Sequence, residues 1–161
     1  MSTRVVVRPA GISDHRDLED LQRRASLNNP GDRDVLLAHP DAIALPIEQI
    51  TDGHVFVAER DGVIVGFAAV LPREDGNAEL DALFVEPDQW RGGIGRLLLE
   101  HCAQVARRRG ARMLHVVGNP HAEGFYLACG FNLTGMTATR FSAGLSMERA
   151  LRKRSRPLRA L

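Results

Sequence analysis

The sequence predicts a mixed α/β fold, a mixed sheet with helices on both sides. Three observations carry that expectation. Residues 54–85 hold three strand-like runs joined by short turns, the pattern of a meander. The third run passes directly into a glycine-rich turn and the most regular helix of the chain. A strand, a helix and two more strands follow, so hairpin and crossover connections share one sheet.

Residues 3–8, rich in valine, read as the first strand, ended by Pro9. Ser13 is the expected cap of a helix whose apolar positions are Ile12, Leu18, Leu21 and Ala25. Asn28, Asn29, Pro30 and Gly31 break it, and 32–38 suits a second short helix. Residues 39–53 read as irregular. Strands are expected at 54–60 and 63–71, joined by Asp61-Gly62, a strong hairpin signal. A third covers 78–85. Ile94, Leu97, Leu98, His101, Cys102, Val105 and Ala106 then recur at helical spacing, and Gly110 stops the helix. A buried strand at 113–117, a helix from Asn119-Pro120 to about Cys129, and weaker strands at 136–142 and 145–150 complete the order.

At 161 residues the chain suits one domain, which at this size buries roughly 70% of its unfolded surface. The domain is expected at 1–151. The last ten residues, 152–161, carry five basic groups and no acid, leaving 16 basic against 20 acidic residues in the body. An acidic body argues against a nucleic-acid-binding domain. The basic tail reads as a solvated, disordered terminus, with RNA, DNA or anionic lipid as its alternative contacts. Cys102 and Cys129 form no CxxC pair, so no metal or redox motif is expected, and Cys102 reads as a small buried hydrophobe. There is no signal-peptide pattern and no run of ~20 apolar residues. A reduced, cytoplasmic protein without membrane contact is expected.

A strand leading into Trp90-Arg91-Gly92-Gly93-Ile94-Gly95 and then a helix aims free backbone N–H groups at one point, backed by the helix dipole. Such a turn suits phosphate oxygens, and a tight helix entry would use the same residues. No Gly-Lys-Ser/Thr follows, so it is not a P-loop. The G-x-G-x-x-G spacing of a dinucleotide site is also missing.

Residues 83–87 (Leu-Phe-Val-Glu-Pro) and 90–98 (Trp-Arg-Gly-Gly-Ile-Gly-Arg-Leu-Leu) resemble the acetyl-CoA motif of the GCN5-related N-acetyltransferases (GNAT). Asn119-Pro120-His121-Ala122, Phe125-Tyr126 and Gly130-Phe131 resemble that family's second CoA motif. The resemblance covers roughly residues 4–150. Trp90 departs from it, standing where the family has Gln or Arg. The resemblance implies a central mixed, mostly antiparallel sheet of about seven strands. It also implies an acetyl-CoA-dependent N-acetyltransferase with acetyl-CoA as acyl-donor cosubstrate and no metal. Leu83, Phe84 and Val85 fall at the pantetheine arm, the first and last pairing with it as an added strand would. Backbone amides of Arg91, Gly92, Gly93, Ile94, Gly95 and Arg96 would hold the pyrophosphate. Asn119 would hydrogen-bond the pantetheine side and Tyr126 would sit near the sulfur.

Acetyl transfer needs a neutral amine, oxyanion stabilisation and a proton for the departing thiolate. Tyr126, the single tyrosine, is the expected acid, with core packing beside Phe125 as its alternative role. Strand alternation puts Glu79 and Asp81 on one face as candidate bases, or as solvent-facing carboxylates. The family's acceptor pocket maps to residues 27–53 and 136–145. Asp32, Asp34, Asp41, Glu48 and Asp52 in the first segment suit a cationic amine, small or on a peptide or protein, or serve only solubility. A non-catalytic acetyl-CoA sensor and a ribosome- or nucleic-acid-associated protein anchored by the tail stand as alternatives. Dimers are common in the family, so a homodimer is a further expectation by analogy.

Overall fold

The computed structural model describes residues 4–140 and 143–152. Residue 3 of the expected first strand, the end of the expected 136–142 strand and all but Arg152 of the basic tail lie outside them.

Seven strands form one sheet: β1 (Val5–Pro9), β2 (Val55–Arg60), β3 (Val63–Pro72), β4 (Ala78–Val85), β5 (Met113–Gly118), β6 (Asn132–Ala138) and β7 (Ala143–Ala150). Their spatial order is β1-β2-β3-β4-β5-β7-β6. Every pairing is antiparallel except β4 with β5. The helices are α1 (His15–Leu27), α2 (Pro30–Ala38), α3 (Ile47–Thr51), α4 (Ile94–Arg108) and α5 (Glu123–Ala128). The expected mixed, mostly antiparallel sheet is what forms.

Alternation along the central strands builds two cores. Val55, Val57, Phe67 and Ala69 face Leu18 and Leu21 of α1. Phe56, Ala58, Ala68 and Val70 face Leu98, Cys102 and Ala106 of α4, with Tyr126 and Cys129 of the α5 region in the same cluster. α1 and α4 therefore cover opposite faces. The Asp61-Gly62 turn is confirmed, both residues having positive φ (55° and 75°) as a two-residue hairpin requires.

Four expectations are corrected. Ser13 does not cap α1; a 3-10 turn at Ile12–Asp14 precedes it, closed by Gly11 N–H donating to Asp14 Oδ2 at 2.8 Å. α2 begins two residues early because Pro30, taken as a breaker, sits at its first position, where its missing N–H costs nothing. The supposedly irregular segment contains α3. On α4, Leu99 is buried and Leu97 is 41% exposed, while Ile94, Leu98, Cys102, Val105 and Ala106 of the expected stripe remain buried.

Candidate active site

β4 and β5 pair only over Ala78–Leu80 against Leu114–Val116, and beyond that point β4 continues with no partner strand on this side among the described residues. Its other edge stays paired with β3 as far as Val85. The bond from Glu86 N–H to Val65 C=O (2.9 Å) sets the phase of that ladder. Bonded and non-bonded pairs alternate, so Phe84 bonds to Phe67 while Leu83 and Val85 turn their main-chain groups toward the gap. Phe84 is thus separated from the two residues it was grouped with. Its main chain serves β3 and its ring lies 5.6 Å from that of Phe67.

A cavity of about 790 Å³ opens at this gap, lined by Leu80–Val85, by Trp90, Arg91 and Gly93–Arg96 of the glycine turn, by Val117–Asn119, and by Phe125 and Tyr126; Gly92 does not reach it. Ala25, Asn29 and Asp32 from α1 and the start of α2 line it as well. Contributions from helices on both faces mean that the cavity passes through the sheet where β4 and β5 part.

At its α4 end, Gly93 takes a left-handed conformation (φ 82°) as the N-cap, and no side chain caps the helix. The N–H groups of Ile94, Gly95 and Arg96 therefore lack intrahelical acceptors and form the positive end of the dipole. Gly92 differs: its N–H donates back to Gln89 C=O at 3.3 Å. Arg91 also has positive φ (68°), which kinks the turn, and Arg91 and Arg96 bring positive charge to this end. Trp90, in the Gln/Arg position, donates its indole Nε1–H to Val85 C=O at 2.8 Å.

Tyr126 is 8% exposed and packed edge-on against Phe125 and Phe131. Burial pushes its pKa up to about 12, so the hydroxyl keeps its proton at physiological pH. Gly118 makes room for the ring: a Cβ there would stand 3.0 Å from Tyr126 Cε2. Sequence reasoning missed Gly118, which nothing local distinguishes from the end of a strand.

Simple alternation along β4 would carry Glu79 and Asp81 onto the face of Leu83 and Val85, and a β-bulge breaks that alternation. Ala69 pairs with Ala82 and Val70 with Leu80, which leaves Asp81 as the extra residue. Beyond it the alternation is reversed. Leu83 and Val85 join Leu80 on the α4 side, whereas Glu79 lies on the opposite face with Ala82 and Phe84. Asp81 is exposed and lines the cavity; Glu79, paired across the sheet with Leu71 and His115, does not.

Asn119 is engaged within the protein on both its side-chain atoms. Its Oδ1 accepts from His121 N–H (2.9 Å) and its Nδ2 donates to Asp32 Oδ1 (2.9 Å). Asn29 Nδ2 donates to the other oxygen of Asp32 at 3.1 Å. Desolvation raises the pKa of this half-buried carboxylate. Of the five acids expected at the acceptor pocket, Asp32 alone reaches the cavity; Asp34, Asp41, Glu48 and Asp52 are exposed elsewhere. Among the described residues no group of three or more His, Cys, Asp or Glu is placed to hold a metal ion, and no helix is long and apolar enough to cross a membrane.

The sequence model of the acetyltransferase (GNAT) family matches residues 17–131. The chain belongs to the GNAT family. Its GNAT fold has a TM-score of 0.79 to a GCN5-related N-acetyltransferase from Rhodopseudomonas palustris, at 20% identity over 94% of this chain and 99% of that one. The PaiA N-acetyltransferase of Thermoplasma acidophilum, solved in complex with coenzyme A, gives 0.73 at 17% identity, covering 91% and 99% of the two chains. Among curated sequences, the amino-acid acetyltransferase of Azotobacter vinelandii is 40% identical over 74 residues, 45% of this chain and 17% of that one. The peptidyl-lysine N-acetyltransferase YjaB of Escherichia coli is 37% identical over 81 residues, 50% of each. This chain spans no more than half the length of these two relatives.

Proposed function

We propose that the protein transfers the acetyl group of acetyl-CoA to a primary amine by direct attack within a ternary complex. The observation that carries this reading is the unpaired edge of β4, whose free main-chain groups at Leu83 and Val85 lead to the uncapped N-terminus of α4. An acyl donor with two amides and a pyrophosphate fits that sequence of groups. The amides add to the edge as a strand would, and the pyrophosphate meets the N–H groups of Ile94, Gly95 and Arg96. A cavity of about 790 Å³ has room for the reacting end of such a donor.

Bound in this way, acetyl-CoA supplies an activated thioester carbonyl. The chain's residues do the rest. A main-chain N–H on β4 near Leu83 stabilises the charge developing on the carbonyl oxygen. The amine nitrogen forms the new N–C bond as the C–S bond breaks, and the thiolate needs a proton. Tyr126, neutral well past physiological pH, hydrogen-bonds that sulfur and passes it a proton, which it regains from solvent. The excess proton of the amine leaves through the wet side of the cavity, where Asp81 stands exposed.

The test begins with melting temperature in acetyl-CoA, with NAD and ATP as controls. At 100 times its dissociation constant a ligand of the folded state adds about 2.7 kcal/mol, and a rise of several degrees with acetyl-CoA alone is expected. Thiol release on adding amines follows. No shift in melting at millimolar acetyl-CoA would defeat the reading.

A further inference from the structure

Building on the amine-acetylation reading, we propose that Asp32 recognises the acceptor. On this proposal it selects a primary amine that carries no carboxylate on the adjacent carbon. The placement of Asp32 is long-range and specific. Asn119, 87 positions away, and Asn29 each give it one hydrogen bond, fixing both oxygens from opposite sides. Backbone packing supports the same point. Gly31 lies so close to the β5–α5 junction that a Cβ there would stand 2.9 Å from Asn119 Nδ2 and 3.1 Å from His121 Cδ2. The start of α2 is thereby held against the rim of the cavity, with the carboxylate as part of its lining.

What this arrangement lacks is an arginine or lysine: the other positive charge at Asp32 is the exposed His121 imidazole, when protonated, and the N-terminal end of α2. Both partners of Asp32 are neutral carboxamides, and among the described residues no arginine or lysine pairs with it. Neutral donors, a solvent-exposed imidazole and a helix end offset only part of the charge of a half-buried carboxylate that is losing water. Each oxygen retains a further lone pair for a donor arriving through the cavity. An ammonium fits that vacancy in charge and in hydrogen bonding.

The other ionisable groups lining the cavity sharpen the selection. Arg91 and Arg96 belong to the turn at the α4 end, where the donor's phosphates are proposed to bind. On the α2 side stand Asp32, the exposed His121 and, at the gap, Asp81. A free amino acid would bring its own carboxylate against these acids with no arginine or lysine to receive it. A peptide N-terminus, a lysine side chain or a polyamine brings none.

The experiment measures thiol release by the full chain with spermidine, with a short C-terminally amidated peptide having a free N-terminus, and with L-glutamate. The wild type is expected to use spermidine or the peptide, whichever matches the cavity, and to discriminate against glutamate. For that amine Asp32→Asn is expected to raise KM roughly 10- to 100-fold, the loss of a charged hydrogen bond. KM for acetyl-CoA and the melting temperature should stay near wild type. Three results overturn the proposal: an unchanged amine KM, a parallel rise in both KM values with a lower melting temperature (a purely structural strap), or a wild type that prefers glutamate. Should Asp32→Asn fail to fold, the wild-type preference decides. A wild type that binds acetyl-CoA but acetylates no amine defeats the acetyl-transfer reading and this one together. An active wild type with an indifferent variant defeats only this one.

Discussion

The indole of Trp90 donates a hydrogen bond to the main-chain carbonyl of Val85, one of the groups at the end of the unpaired β4 edge. A side chain thus occupies an acceptor that the proposed donor would use. Trp90 is the single tryptophan, so its fluorescence reports on this contact alone.

If pantetheine displaces the indole, titration with acetyl-CoA changes the emission of Trp90, and the change saturates with the same dissociation constant as the melting shift. Trp90→Phe removes the competitor and should tighten acetyl-CoA about 3- to 10-fold, near the ~1 kcal/mol of one hydrogen bond. Weaker binding by the variant would show that the indole contributes a contact to the complex instead.

Tyr126 is likewise the chain's single tyrosine, so ultraviolet absorbance follows its ionisation without interference. Burial raises its pKa from 10.0 to about 12, and the phenolate should form only near that pH in the folded protein. The unfolded chain ionises first. Stability conferred by the neutral phenol is complete below pH ~10 and is lost as pH rises toward 12. Tyr126→Phe should flatten that part of the melting profile and lower kcat about 100-fold, with KM for acetyl-CoA little changed. A folded-state titration near 10, or a kcat equal to wild type, would remove the tyrosine from the chemistry.

Features set by neighbouring residues along the chain were legible in the sequence. The glycine turn, the Asp61-Gly62 hairpin and the stop at Gly110 each depend on local backbone conformation, and each is where it was expected. Features set across the sheet were not. The bulge at Asp81 is defined by β3, so alternation along β4 alone would wrongly put Glu79 on the face of Leu83 and Val85. The Asp32–Asn119 bond joins residues 87 apart, and sequence reasoning could assign Asn119 only by motif. α3 escaped notice because a five-residue helix shows too little periodicity to detect.

The reversal of faces at Asp81 yields a contrast between the two carboxylates. Glu79 sits beside Leu71 and His115, off the cavity. Glu79→Gln should leave kcat/KM within about twofold across pH, as surface changes away from a site do. Asp81 lines the cavity, so Asp81→Asn should lower the rate most at acid and neutral pH and least where the amine is already neutral. A large, pH-dependent loss in the Glu79 variant would restore it as the base.

Gly118 offers a test of how closely the tyrosine must be placed. A methyl at this position would meet Tyr126 Cε2 at 3.0 Å and Cδ2 at 3.3 Å. That ring is wedged between Phe125 and Phe131 and has little room to yield. Gly118→Ala should therefore cost about 1–3 kcal/mol by overpacking, visible as a lower melting temperature. It should also push the hydroxyl off its position, with kcat falling roughly 10- to 100-fold for a shift well under 1 Å. Acetyl-CoA binding, which depends on β4 and the start of α4, should survive. Loss of stability with an unchanged kcat would mean that the hydroxyl's position is not critical, which would weaken the role proposed for Tyr126 independently of its own substitution.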